Sequence, residues 1–169
     1  MRNGLIVTVV CLGLIFSVAL VQGAPEKTIS RDTRCAVCGM FVGKYGNWVT
    51  QIRLADSRSL FFDGVKDLMV FYHNPQKYGN VAAKDIKEVW VRDYYSQEWI
   101  DGLKAFYVVG SDVLGPMGKE FIPFADKSAA ETFLKDHNGR RILTFDEITD
   151  DLVQSMRMKM KMKHGGAMK

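Results

Sequence analysis

The sequence predicts an α+β fold built from two small, similar ββαβ subdomains. Short runs of alternating apolar and polar residues mark strands. Each half carries one amphipathic helix after a strand pair. The order strand, strand, helix, strand recurs in both halves, each preceded by a loop bearing Gly and Met: Gly39-Met40 in the first, Pro116-Met117 in the second.

Taken in order, Trp48 to Leu54 alternates as a half-buried strand should, Asp56-Ser57 turns the chain, and Ser59 to Phe62 returns as a second strand. Asp63 is placed to cap a helix over Val65 to Tyr72, whose Val65, Leu68, Met69 and Tyr72 share a face, and Asn74-Pro75 stops it. Ile86 to Tyr94 alternates again. In the second half, Ala105 to Val109 and Phe121 to Phe124 read as strands around the tight loop Gly115-Pro116-Met117-Gly118. Asp126 or Ser128 caps a helix from Ala129 to Asn138, which Gly139 ends, and Ile142 to Phe145 is extended before a final helix begins at Phe145-Asp146-Glu147-Ile148. The polar stretch Glu98 to Gly102 is the expected joint. The resulting division is 1–24 as a targeting segment, 25–97 and 98–153 as the two subdomains, and 154–169 as a flexible Met/Lys/His-rich tail.

The targeting segment rests on Arg2, the apolar run Leu5 to Leu20, and the small residues Gly23-Ala24. It implies a periplasmic or otherwise exported protein. Cys11 follows Val10, not the small residue expected before a lipidated cysteine, so lipoprotein anchoring is not expected. Of the 23 Lys and Arg, one is Arg2 and five follow Ser155, leaving 17 against 19 acids in the body. The basicity therefore belongs to the tail, which suits contact with a membrane surface, and the body offers no nucleic-acid-binding face.

Beyond Cys11, the cysteines are Cys35 and Cys38 alone. Two are too few for a self-contained four-cysteine zinc or iron–sulfur site. In Cys35-Ala-Val-Cys38-Gly-Met40 the turn brings two thiols together, and Gly39 lets the chain bend so that Met40 adds a thioether. Thiolates and a thioether form a soft set that favours copper(I). A structural disulfide remains the alternative for the pair, and a thiol–disulfide oxidoreductase the alternative function. Met117, in a loop with little to pack against, is a further candidate ligand. Five of the nine methionines and His164 lie in the tail, a candidate copper-collecting segment. His73 and His137 fall at helix ends and read as surface residues. No paired carboxylates, nucleophile elbow or phosphate loop stand out, so no enzyme is expected.

These motifs resemble those of the NosL-type accessory proteins of nitrous-oxide reductase. The likeness runs from about Arg34 to Asp150. It includes Cys35-Ala-Val-Cys38-Gly-Met40, Phe61-Phe62-Asp63-Gly64, Asp93-Tyr94 before Trp99-Ile100-Asp101, Ala105 to Ser111, Gly115-Pro116-Met117-Gly118 and Phe145-Asp146-Glu147-Ile148. The resemblance implies ββαβ units similar to those of the organomercurial-lyase fold and copper(I) delivery to nitrous-oxide reductase. It leaves open whether zinc accompanies copper. By position it carries the ligand role to Cys38, Met40 and Met117, and less firmly to Cys35. The tail lies outside the shared pattern.

Overall fold

A computed structural model describes the backbone of residues 23–165 and the side chains as far as Met158. The targeting segment through residue 22, with Cys11, lies outside the described residues.

In the first unit the strands β1 (Thr50–Leu54), β2 (Ser59–Phe62), β3 (Ile86–Arg92) and β4 (Trp99–Asp101) form an antiparallel sheet in the order β2-β1-β3-β4. The second unit holds β5 (Phe106–Gly115), β6 (Gly118–Phe124) and β7 (Arg141–Leu143) in the order β6-β5-β7. In both units the first strand is central and flanked by the second and third. The repeat anticipated from pattern is therefore a repeat of topology. Helices α1 (Val65–His73) and α2 (Pro75–Gly79) follow β2, α3 (Lys127–Asp136) follows β6, and α4 (Asp150–Gly165) closes the chain.

Several elements differ from expectation for identifiable reasons. Pro75 does stop α1, but its fixed φ also starts the one-turn α2 from the first helical position. The stretch around Trp99, expected as the joint, is instead β4, pairing Val91 with Ile100 at the edge of the first sheet. Phe145–Glu147 is a 3-10 turn closed by reciprocal hydrogen bonds between Thr144 and Glu147, and the α-helix proper begins at Asp150. That helix reaches Gly165, so the first part of the supposed flexible tail is helical. Met, Arg and Lys are good helix formers, and Leu152, Val153 and Met156 anchor the segment on the core.

β1 also departs from the half-buried pattern, being buried on both faces. Ile52 and Leu54 enter the core. On the other face the N-terminal segment covers the polar residues: Gln51 exchanges hydrogen bonds with the backbone of Glu26, and Arg53 donates to the Ala24 carbonyl.

The main core spans both units. Ile52, Phe62, Leu68 and Val89 share it with Tyr107, Phe121 and Leu143. Alternate residues Val108, Ile122 and Phe124 face the other way, onto Ala130 and Phe133 of α3. The second sheet is thus covered on both faces, which is why β6 is buried without a break from Glu120 to Phe124. Helix α1 lies in the middle, buried from Val65 through Phe71, because β6 and α4 cover the faces left open by its own sheet.

Two polar joints tie the units. The buried Asp93 accepts from Tyr95 N, Ser96 N and Ser96 Oγ with one oxygen and from Ala125 N of the second unit, at 2.7 Å, with the other. The second joint is at the start of α1. There Glu120 accepts from Lys66 N at 2.6 Å, doing from the other unit what an N-cap side chain does locally. A Cβ on Gly64 would run into the Glu120 carboxylate, so glycine at 64 permits the approach. Burial, chiefly, pushes the Glu120 carboxyl from its ordinary 4.5 up to about 7, and the charge of Asp63 adds to this, while Lys66 and two backbone amides oppose it. A raised carboxyl stabilises the fold below its unfolded value and loses that contribution as pH rises through about 7. Glu120→Gln, which keeps an acceptor but cannot ionise, is expected to flatten the stability–pH curve between pH 4.5 and 7. The difference from wild type is on the order of 2–3 kcal/mol across that window, measured by denaturant unfolding.

Candidate metal centre

Residues Arg34 to Phe41 form a small loop closed by an isolated bridge between its ends. Within it Gly39 N donates to the Cys35 carbonyl at 3.0 Å, so Cys35 to Cys38 make one helical turn. Gly39, with φ of 77°, ends that turn in the left-handed region where a side chain is disfavoured. The reversal returns the chain so that Cys35 N donates to the Met40 carbonyl at 2.8 Å. Ala36 N donates to the Phe61 carbonyl at 3.0 Å, docking the loop on β2 and hence beside the start of α1.

Opposite the thiols stand two carboxylates. The Cys35 thiol donates to Asp67 Oδ2 at 3.5 Å and the Cys38 thiol to Asp63 Oδ1 at 3.6 Å. One donor atom from each of Cys35, Cys38, Asp63 and Asp67 lies within 4.8 Å of all the others. Cys35, Asp63 and Asp67 are buried, and Cys38 is exposed, so the cluster opens to solvent on the Cys38 side. Both cysteines stand as free thiols. The hydrogen bond from Cys38, burial, and the neighbouring carboxylates all act to push the Cys35 thiol well above its usual pKa. Burial and then the charge of Asp67 raise the Asp63 carboxyl. A cation entering here meets two sulfurs and two carboxylates, and it must displace protons to bind.

A compensating cation comes from α4. Arg157 donates to the Tyr78 hydroxyl at 3.4 Å. Burial pushes its pKa down, but the Tyr78 hydrogen bond and the charges of Asp67 and Cys38 outweigh it and raise it.

Of the four residues singled out from sequence, the fold brings Cys35 and Cys38 together. Met40 follows directly, half-buried, its backbone bonded to Cys35. Met117 occupies the two-residue turn between β5 and β6, also half-buried, and its carbonyl accepts from Lys66 Nζ at 2.8 Å. Asp63 and Asp67 are the residues that sequence reasoning missed. Asp63 was assigned to capping α1, but Gly64 is the N-cap and receives no side-chain cap; Asp63 faces Cys38 instead. The usable signal was a pair of acids flanking one helix start, Asp63 just before the N-cap and Asp67 in the first turn. His73 is bonded to the Ile148 carbonyl and His137 to Asp112, in keeping with structural roles. His164 and the tail methionines beyond Met158 lie outside the described side chains.

Comparison with known proteins gives a consistent picture. A family model described as NosL matches residues 26–153. The copper-binding lipoprotein NosL of Stutzerimonas stutzeri is 39% identical over 159 residues, covering 86% of this chain and 76% of the relative. The copper-binding lipoprotein NosL of Achromobacter cycloclastes is 27% identical over 139 residues, covering 78% and 72%. Among solved structures, the crystal structure of the copper chaperone NosL from Shewanella denitrificans superposes with a TM-score of 0.63 at 27% identity, covering 75% of this chain and 99% of that one. These findings correct one expectation. Both curated relatives are named lipoproteins, which overturns the expectation against lipoprotein anchoring. That reading put too much weight on the single residue Val10 ahead of Cys11.

Proposed function

The chain belongs to the NosL family, and from that premise we propose that it is a copper(I) carrier that binds its cargo at the Cys35–Cys38 turn and hands it to nitrous-oxide reductase. The observation that carries this reading is the convergence of Cys35, Cys38, Asp63 and Asp67 within 4.8 Å at a solvent-accessible edge. The two thiolates form the soft side that suits copper(I), with the thioethers of Met40, next in the chain, and Met117, on the β5–β6 turn, as its further ligands. Asp63 and Asp67 form a hard side, where a zinc ion sharing a thiolate would be at home.

The carboxylates also give the cargo a way out. Copper(I) arrives and two thiol protons leave; when a recipient ligand takes the ion, protons return to the sulfurs, whose protonated forms the carboxylates hydrogen-bond. The exposed Cys38 is the natural point for a recipient ligand to enter. No turnover of a substrate is involved.

The carrier reading is preferred over an oxidoreductase because Asp63 and Asp67 stand against the two thiols and complete a four-donor cluster, which thiol–disulfide exchange does not call for.

The test of delivery is direct transfer. The copper(I)-loaded chain is mixed with copper-free nitrous-oxide reductase, and metal is followed in each protein after separation. Copper moving faster from the loaded chain than from an equal concentration of chelated copper(I) supports the reading; equal rates refute delivery.

A further inference from the structure

The two units meet at a buried lysine that the carrier reading does not use. Lys66 is 1% exposed, one residue before Asp67 on α1. Its ammonium donates to the Met117 carbonyl at 2.8 Å and the Lys119 carbonyl at 2.7 Å, holding the turn between β5 and β6 and the first residues of β6. Its backbone N–H is held by Glu120 of the same hairpin, and that carboxylate in turn feels the charge of Asp63. Burying an ammonium is costly, and it persists here because two carbonyls receive it. An apolar residue would fill the space, but it would leave those carbonyls unpaired and the turn unheld.

Each motif in this contact belongs to a different unit. Asp63-Gly64-x-Lys66-Asp67 brings the carboxylates of the metal centre, and Gly115-Pro116-Met117-Gly118-x-Glu120 brings the thioether. We propose that Lys66 is a positioning residue: by seating the Pro116–Met117 turn on the start of α1, it makes the second unit contribute Met117 to the metal centre of the first. This rests on the reading of Met117 as a ligand. The metal centre is then a composite of both units, and its completeness depends on how they dock.

The experiment is a double-variant cycle in copper(I) affinity, read by competition with a chromophoric chelator on wild type, Met117→Leu, Lys66→Leu and the double variant, each checked for fold by circular dichroism. Met117→Leu is expected to weaken binding by about 10- to 100-fold, Lys66→Leu by a similar factor, and the pair by no more than either alone. In parallel, the Met117 methyl resonance in 13C-methyl-methionine protein shifts on copper(I) addition in wild type and stays put in Lys66→Leu. Should Lys66→Leu fail to fold, Lys66→Gln, with a polar end too short to reach both carbonyls, takes its place. No effect of Met117→Leu refutes the ligand reading itself. An effect of Met117→Leu with an additive Lys66→Leu loss, or with a methyl shift unchanged by the lysine variant, overturns the positioning role and leaves Lys66 as a purely structural tie.

Discussion

Cys38→Ser is expected to weaken copper(I) binding at least about 100-fold, more than the loss typical of residues that only support a ligand. The fold should survive it. Cys38 is exposed, its thiol donates to Asp63 at 3.6 Å, and a serine hydroxyl can still donate to that carboxylate. Thermal stability of the metal-free variant should stay within about 0.5 kcal/mol of wild type, as for other surface changes. Chelator competition and thermal melts on the same samples separate the two effects. Cys35→Ser should lose copper too, but at a cost in stability, since Cys35 is 3% exposed and belongs to the main core.

The largest effect on stability is expected from the centre of α1. Phe71 is fully buried, packs on Phe62 with ring centroids 5.4 Å apart, and sits where both units share one core. Phe71→Ala removes that contact and leaves a cavity between α1 and its sheet, for a loss of about 3–5 kcal/mol. In a domain of this size that lowers Tm by about 10 °C. Because the core is continuous across the units, the melt should remain a single transition; two separated transitions would show that the units unfold independently.

How much of this was legible in the residues depends on the range over which each signal acts. The strands of both hairpins and the helix α3, with Asp126 accepting from Ala129 N at its start, were readable because periodicity and capping are local. The matching strand order of the two sheets follows from the same repeated pattern. What stayed hidden depended on partners distant in sequence. β4 has three residues and a polar neighbourhood, and only its pairing with β3 makes it a strand. Burial of the polar face of β1 depends on residues 23–26 lying across it. The complete burial of α1 depends on β6 and α4, which its own sequence does not announce.

The metal centre divides in the same way. Cys35-x-x-Cys38 announced itself by spacing. Asp67 was hidden because an acid in the first turn of a helix is ordinary, and only the fold shows that it faces a thiol across the site. Lys66 was less visible still, since nothing local distinguishes a lysine that will be buried from one that will not.

The central claim is that copper(I) is held by sulfur at the Cys35–Cys38 turn, and X-ray absorption at the copper edge tests it most directly. The chain loaded with one equivalent of copper(I) is compared with the Cys35→Ser, Cys38→Ser double variant. The account predicts a first shell of about two or three sulfurs in the wild type that is lost in the double variant. A shell of nitrogen and oxygen, or a sulfur shell unchanged by the two serines, would contradict it.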